Sequence, residues 1–196
     1  MKKIITIFII SVFVLYSCDV VDPLGKYDLT KAESAESIKK VIGDKVAADD
    51  LLSGISFIFN NSESFTSKAF VMNVIFAKSE GNNESKQIQI DLASGKADEK
   101  TSRFANGSIS YKQFDFNKIS SHISTAISMI PEEYNYKGIG DYKMIAKDSY
   151  VEHQFTLQIT EKSGSTEVKG GSIVTNYYEL GFISDADGNL IMEEED

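Results

Sequence analysis

The sequence predicts an α+β fold made of two tandem units, each a helix packed on an antiparallel four-stranded meander. Two observations carry this prediction. Apolar residues at helical spacing are followed by several short strand-like runs, and this order occurs twice along the chain. We place the first unit at residues 30–104 and the second at residues 115–193. The turns before the last strand of each half, residues 91–95 and 185–188, both run from an aspartate to a glycine, which supports an internal repeat.

The first unit begins with a capping-box pattern, in which Thr30 is followed three residues later by Glu33. Apolar residues then recur at helical spacing, namely Ile38, Val41, Ile42 and Val46. Strand-like runs follow, at residues 55–60, 69–78, 86–92 and 96–100. One helix and four strands are therefore predicted for this half.

The second unit contains a helix that Asp115 or Asn117 can cap and that Pro131 ends. Its apolar residues are Phe116, Ile119, Ile123, Ile127 and Ile130. Strand-like runs follow, at residues 140–147, 151–161, 172–183 and 190–193. The run at 151–161 alternates most regularly, so we expect its apolar residues to face the core and its polar residues to face solvent.

A sheet with a helix over one face leaves its other face open, and we take that open face as the candidate partner-binding surface. Gln154 and Gln158 lie on the polar side of the run 151–161. Tyr177 and Tyr178 are adjacent in a predicted strand and point to opposite faces, so one of them faces the open side. Aromatic anchors are enriched at binding surfaces, although covering the core or an edge is the alternative role.

The order of a helix before a meander that ends in a strand–Asp-x-x-Gly–strand hairpin resembles the PepSY-like and beta-lactamase-inhibitor-protein-like group of small modules. Residues 90–95 and 182–190 carry the resemblance, together with the element order over residues 30–193. The resemblance implies non-enzymatic binding of another protein or a peptide. It is an analogy of fold, and fold alone does not fix function.

The amino terminus has the form of an export signal. Two lysines follow Met1, and the apolar run over residues 4–16 is too short to span a bilayer, which takes about 20 residues. The run ends in Leu15-Tyr16-Ser17-Cys18, which resembles the lipobox of bacterial lipoproteins, with Tyr16 larger than the residue usual there. The resemblance implies removal of residues 1–17 and attachment of lipid to Cys18. A plain secretory signal is the alternative.

Residues 18–29, with a proline and a glycine, are predicted to form an extended tether between the lipid and the globular part. The protein would then be held at a membrane of the bacterial cell envelope by the lipid on Cys18. An acidic residue directly after the cysteine, here Asp19, resembles a retention signal of the inner membrane in some bacteria and accompanies surface export in others. We favour the outer membrane or the cell surface.

Composition excludes several classes of function. The formal net charge is −9 and no basic stripe compensates it, so nucleic acid is not an expected partner. Cys18 is the only cysteine, which excludes an intramolecular disulfide and a thiolate metal cluster. We predict no cofactor and no metal site. Residues 185–189 resemble the start of a calcium loop, but the glycine comes at the fourth position instead of the sixth, as in a hairpin turn.

No catalytic constellation is visible in the sequence. There are two histidines, of which His153 is predicted to be a hydrogen-bonded core residue and His122 to be solvated. No G-x-S-x-G motif marks a nucleophile. The leading hypothesis is therefore a lipid-anchored, non-catalytic binding protein that recognises an envelope protein or peptide. The alternatives are a structural or assembly subunit of an envelope complex, and a hydrolase with an unrecognised site.

Overall fold

A computed structural model of the chain describes residues 22–60, 65–79, 84–103, 107–163, 166–169 and 172–193. The predicted leader at residues 1–17 and the lipid-bearing Cys18 lie outside these ranges. The described part of the predicted tether is not extended. Residues Gly25–Tyr27 form a 3₁₀ helix, and the side chains of Tyr27 and Leu29 are buried in the core. Over residues 22–29 the tether prediction is therefore wrong, because these residues pack against the rest of the fold.

The elements follow one another in an α+β order. The two α-helices are α1 (Ser34–Gly43) and α2 (Asn117–Met129). The strands before α2 are β1 (Leu51–Phe59), β2 (Ala69–Phe76), β3 (Ser85–Asp91), β4 (Ala97–Ser102) and β5 (Ile109–Ser110). Those after α2 are β6 (Tyr134–Ala146), β7 (Val151–Glu161), β8 (Thr166–Lys169), β9 (Ser172–Thr175), β10 (Tyr178–Ser184) and β11 (Leu190–Met192).

Nine of the strands form one antiparallel sheet. Its order is β11-β10-β7-β6-β1-β2-β3-β4, and the short β5 pairs with the start of β1. The remaining two strands, β8 and β9, form a separate hairpin. Among the described residues β4 and β11 are therefore the outer strands, and β1 and β6 lie at the centre.

The prediction of two tandem helix-plus-four-strand units is wrong. β1 and β6 pair over five residues each, from Gly54 opposite Ile145 to Ile58 opposite Asp141. This pairing joins all the long strands into a single antiparallel sheet, and it removes the unpaired edge that each separate meander would expose. The physical reason is that an isolated first strand would leave a row of backbone donors and acceptors without partners.

Both helices pack on the same face of the sheet and share one core. Alternate residues of the strands point into it, so that Ile55, Met144 and His153 form one inward row across β1, β6 and β7. The helices contribute apolar residues to the same cluster, namely Ala35, Ile38, Ile42, Ile119, Ile123 and Ala126. The opposite face of the sheet carries no described helix, and we call it the open face.

The ends of the helices differ in part from the sequence prediction. α1 begins at Ser34 without a side-chain cap, and Thr30 instead donates its backbone N–H and its hydroxyl to Asp28 Oδ1 (3.2 and 2.7 Å). The prediction that Thr30 and Glu33 form a capping box at the start of α1 is therefore wrong. Asp115 does serve the start of α2, since its Oδ1 accepts a hydrogen bond from the N–H of Asn117 at 3.1 Å. The predicted strand at residues 172–183 is two strands, β9 and β10.

The two aspartate-to-glycine turns are confirmed as hairpin turns. Gly95 and Gly188 adopt positive φ angles of 70° and 85°, which favour glycine. In the second turn Asp185 Oδ1 accepts hydrogen bonds from the N–H groups of Asp187 and Asn189 at 2.9 and 2.8 Å. The carboxylate is thus used by the turn itself.

Candidate functional site

A row of side chains crosses the open face through all eight strands of the main sheet order. Cross-strand register joins its members directly, because residues opposite each other in an antiparallel pair share a face. From β4 to β11 this transverse row is Asp98, Gln89, Asn73, Ser56, Lys143, Gln154, Ile183 and Ile191. Its middle is polar and mostly uncharged, and its β11 end is aliphatic.

Hydrogen bonds between side chains hold the polar part of the row in place. Asn73 donates from Nδ2 to Ser56 Oγ at 3.3 Å. Its Oδ1 accepts from Gln89 Nε2 at 3.2 Å and from Gln87 Nε2 at 2.9 Å. Since the amide of Asn73 is thereby fixed in orientation, the glutamines around it present ordered donors and acceptors.

The second half of the open face contains paired charges. Asp141 accepts from the hydroxyl of Thr156 at 3.2 Å and forms an ion pair with Lys143. Glu152, which is buried, pairs with Lys147 at 3.0 Å. Within each pair the positive and negative charges neutralise each other, so the centre of the face has little net charge.

An apolar groove of about 360 Å³ opens on the same face, where β1, β2 and β6 meet. Gly54 lies at its floor, and a Cβ atom there would come within 2.8 Å of the carbonyl oxygen of Met144. Ile75 and Ile145, the register partners of Gly54, line the groove. Close approach of two backbones at a glycine therefore creates the depression.

Two large aliphatic side chains stand exposed on the open face. Ile58 is 45% exposed and its register partners are Val71 and Asp141. Ile191 is 52% exposed and belongs to the transverse row. Together with the groove they provide apolar contact area between the polar side chains, as binding surfaces do.

The four residues predicted from the sequence do not share one surface. Gln154 lies in the transverse row. Gln158 faces the same side, but it is 9% exposed and its Nε2 donates to Glu179 Oε1 at 3.2 Å. Tyr178 is paired with Ile159, a core residue, so by register it lies on the helix-bearing face. The ring of Tyr177 packs against Phe65, with 4.3 Å between the ring centroids.

Sequence reasoning missed the residues of the first half, above all Asn73, Gln87 and Gln89. A signal was present, because Gln87 and Gln89 alternate with Ile88 and Ile90 in β3. Their neighbourhood with Gln154 depends on the pairing of β1 with β6, which no local pattern reveals.

The two histidines form a buried pair on the other side of the sheet. His153 is 2% exposed, and its Nδ1 is hydrogen-bonded to the hydroxyl of Tyr142 at 2.8 Å, which confirms the predicted core histidine. His122 is 7% exposed, so the prediction of a solvated residue is wrong. The two rings meet edge to face, with 4.6 Å between their centroids. Burial lowers the pKa of His153 to about 3 and also lowers the pKa of His122.

A small polar pocket of about 180 Å³ adjoins this pair, lined among others by Lys118, Tyr150 and Ser184. The Oγ of Ser184 accepts a hydrogen bond from the backbone N–H of His153 at 2.8 Å. Tyr142 occupies Nδ1 of His153, the ring position at which the orienting carboxylate of a catalytic triad would bind. No group of three or more metal-ligating histidine, cysteine or carboxylate side chains occurs in the described part of the chain.

No known protein family, no curated protein and no solved structure matches the chain. Neither α1 nor α2, nor any other helix of the described residues, is long and apolar enough to cross a membrane.

Proposed function

We propose that the chain is a lipid-anchored, non-catalytic binding protein of the bacterial cell envelope, which receives a protein or peptide partner on its open face. The observation that supports this most is the one-sided sheet. Both helices cover one face, and the other carries an ordered polar row beside an apolar groove. A lipobox-like segment ending at Cys18 supports the anchor, and the weak PepSY-like resemblance is compatible with a non-enzymatic role.

The size of the open face suits a protein partner. Eight strands spaced about 4.8 Å apart span about 34 Å, and six residues of a strand extend about 20 Å. The resulting area is on the order of 700 Å², close to the roughly 800 Å² that each partner contributes to an interface of standard size. A small molecule would use only a fraction of it.

The chemistry of the face indicates the kind of partner. Amides that are fixed by Asn73 can exchange hydrogen bonds with a backbone or with uncharged polar side chains. The groove at Gly54 has room for one aliphatic side chain. Because the charges of Asp141 and Glu152 are already paired with lysines, we expect a segment of low net charge with a single aliphatic anchor.

Site-specific photocrosslinking in living cells tests the proposal. A photoreactive residue at Ser56 or at Gln154 should give the same protein adduct, since both positions belong to the transverse row. The matched controls are Ser121 on α2 and Lys162 after β7, both exposed and both outside the row. Equal adducts from all four positions would contradict a role of the open face.

A charge test follows from the low net charge at the centre of the open face, where Lys143 is paired with Asp141. Gln154→Lys should reduce the adduct formed from Ser56 at least about tenfold, because a new ammonium would have to be desolvated at the interface. Ser121→Lys adds the same charge on the helix-bearing side and should leave the adduct unchanged. An assembly subunit differs in that the adduct would remain at fixed stoichiometry under all growth conditions.

The anchor is tested separately. Wild-type protein should incorporate a fatty-acid label and fractionate with membranes, whereas Cys18→Ala should lose the label and retain its leader. An unmodified thiol at Cys18 in the mature protein would overturn the anchoring part of the proposal. Sedimentation of the label with the outer membrane would support the favoured location.

A further inference from the structure

A lysine-lined cleft lies where the chain enters the fold. It has a volume of about 420 Å³ and is formed by the first 3₁₀ helix, by α1 and by the turn between β3 and β4. Lys26, Lys40 and Lys45 line it, together with a single carboxylate, Asp44. The cleft is therefore locally cationic in a chain whose formal net charge is −9.

The ammonium groups of this lysine cleft form no ion pair within the described part of the chain. Lys39, on the same helix, forms an ion pair with Glu36 at 2.8 Å. In contrast, no carboxylate within the described ranges forms an ion pair with any of the three lysines of the cleft. The Nζ of Lys26 instead lies 5.1 Å from the centroid of the buried Tyr27 ring. Three lysines thus line one cleft without an ion-pair partner among the described residues.

The lysine cleft is close to the proposed anchor. Asp22, the first described residue, lies four positions after Cys18, and an extended chain spans at most about 3.5 Å per residue. Cys18 is therefore within about 14 Å of Asp22. Asp22 belongs to the turn that leads directly into the cleft, because its carbonyl oxygen accepts a hydrogen bond from Gly25 at 3.1 Å.

We propose that the lysine cleft binds the phosphate group of anionic lipids in the leaflet that holds the anchor. This inference rests on the lipid anchoring put forward under Proposed function. Juxtamembrane lysines are attracted to anionic headgroups, and three of them together favour such a surface on the order of 100-fold. Asp44 reduces this preference, so we expect at least about tenfold. The cleft would fix the orientation of the protein, which an acyl chain alone does not do.

The test compares the reactivity of individual lysines in the full lipidated chain. The protein is placed in nanodiscs of phosphatidylcholine alone or with phosphatidylglycerol, and amines are acylated and quantified by mass spectrometry. Phosphatidylglycerol should slow the acylation of the three cleft lysines at least about tenfold. Internal references are Lys78, Lys137 and Lys162, which are exposed and should change less than about twofold. Equal protection of both sets would overturn the proposal.

Two further arms separate the possible sources of phosphate and the possible causes of failure. Lys40→Gln should weaken the protection of Lys26 and Lys45, whereas Lys78→Gln should not; equal effects would overturn a shared site. Glycerol phosphate added to phosphatidylcholine nanodiscs tests free phosphate. Protection by this soluble compound but not by phosphatidylglycerol would overturn the assignment to lipid. The mass of the Cys18 peptide from the same sample reports the anchor independently.

Discussion

Acid should destabilise this protein through its buried histidines. Burial holds the pKa of His153 near 3, whereas an unfolded histidine titrates at 6.5. Between pH 6.5 and about 3, His153 therefore binds a proton in the unfolded chain but not in the folded chain. The contribution of this group to stability is complete above pH 6.5 and is lost as the pH falls towards 3.

The size of the effect follows from the two pKa values of His153. Lowering the pH from 7.5 to 5.0 should reduce the free energy of unfolding by about 2 kcal/mol through this group alone. His122 contributes in the same direction, because its folded pKa is lowered as well. Carboxylates barely contribute in this window, because their unfolded pKa values, such as 3.8 for Asp28, lie below it.

Urea unfolding at the two pH values measures this loss, followed by far-UV circular dichroism because the chain has no tryptophan. His153→Asn is the informative variant, since its side-chain oxygen can accept from Tyr142 in place of Nδ1 but does not titrate. It should be less stable than wild type at pH 7.5 and should lose about 2 kcal/mol less on acidification. An equal loss in wild type and variant would refute the assignment to His153.

Three further predictions concern the sheet and its connection to the chain entry. Gly54→Ala should lower the free energy of unfolding, measured in thermal melts, by about 1–3 kcal/mol, because its Cβ would lie 2.8 Å from a backbone oxygen. Gly43→Ala is the control, since a Cβ there meets nothing within 4 Å. It should be neutral or stabilising by up to about 1 kcal/mol in the same assay. Asn73→Ala should cost about 1–3 kcal/mol in urea unfolding, since it leaves two glutamine amides without their acceptor, whereas the half-buried Gln154→Ala should stay within about 0.5 kcal/mol. Asp28→Ala should cost a similar 1–3 kcal/mol in the same assay. Burial raises the pKa of Asp28, but hydrogen bonds from Ser67 and Thr30 outweigh burial and hold the pKa below 3.8. The stability contributed by Asp28 is therefore present above pH 3.8 and disappears in acid. An Asp28→Ala penalty that persists unchanged at about pH 2 would contradict that reasoning.

Local patterns in the sequence predicted individual elements well where one face decides the pattern. β7 spans residues 151–161 as expected, because its alternate apolar residues all face a continuous core. The turns at Gly95 and Gly188 were also predictable, since a positive φ angle restricts the choice of residue. These features depend on neighbours within a few residues along the chain.

The assembly of the sheet was not predictable by the same means. Pairing of β1 with β6 joins residues separated by almost half of the chain, and either strand alone would read the same as an edge strand. The error over Tyr177 and Tyr178 has a similar origin. The chain leaves the strand conformation between β9, which ends at Thr175, and β10, which begins at Tyr178. Tyr177 lies in this break, so the alternation of faces expected within one strand does not apply to it.

The burial of His122 shows why helix faces are harder to assign than strand faces. It lies next to Ile123 but outside the apolar stripe of α2, which suggested exposure. The polar pocket beside His122 is lined partly by Asp185 and Gly188 of the β10–β11 turn, and α2 contacts β7 and β11. The apolar stripe predicts only which side of α2 faces the sheet. It does not predict the burial of a second side of the helix by a turn.

The lysine cleft and the open face lie on opposite sides of the sheet, so both can be occupied at the same time. The cleft is lined by α1 and therefore belongs to the helix-bearing side, whereas the transverse row lies on the opposite face. A leaflet in contact with Lys40 is thus separated from Gln154 by the thickness of a helix layer and a sheet, about 10 Å or more. A partner would then approach the open face from water rather than from the bilayer. A photoreactive residue at Gln154 that formed adducts with lipid would break this arrangement, even if Lys40 were protected by phosphatidylglycerol.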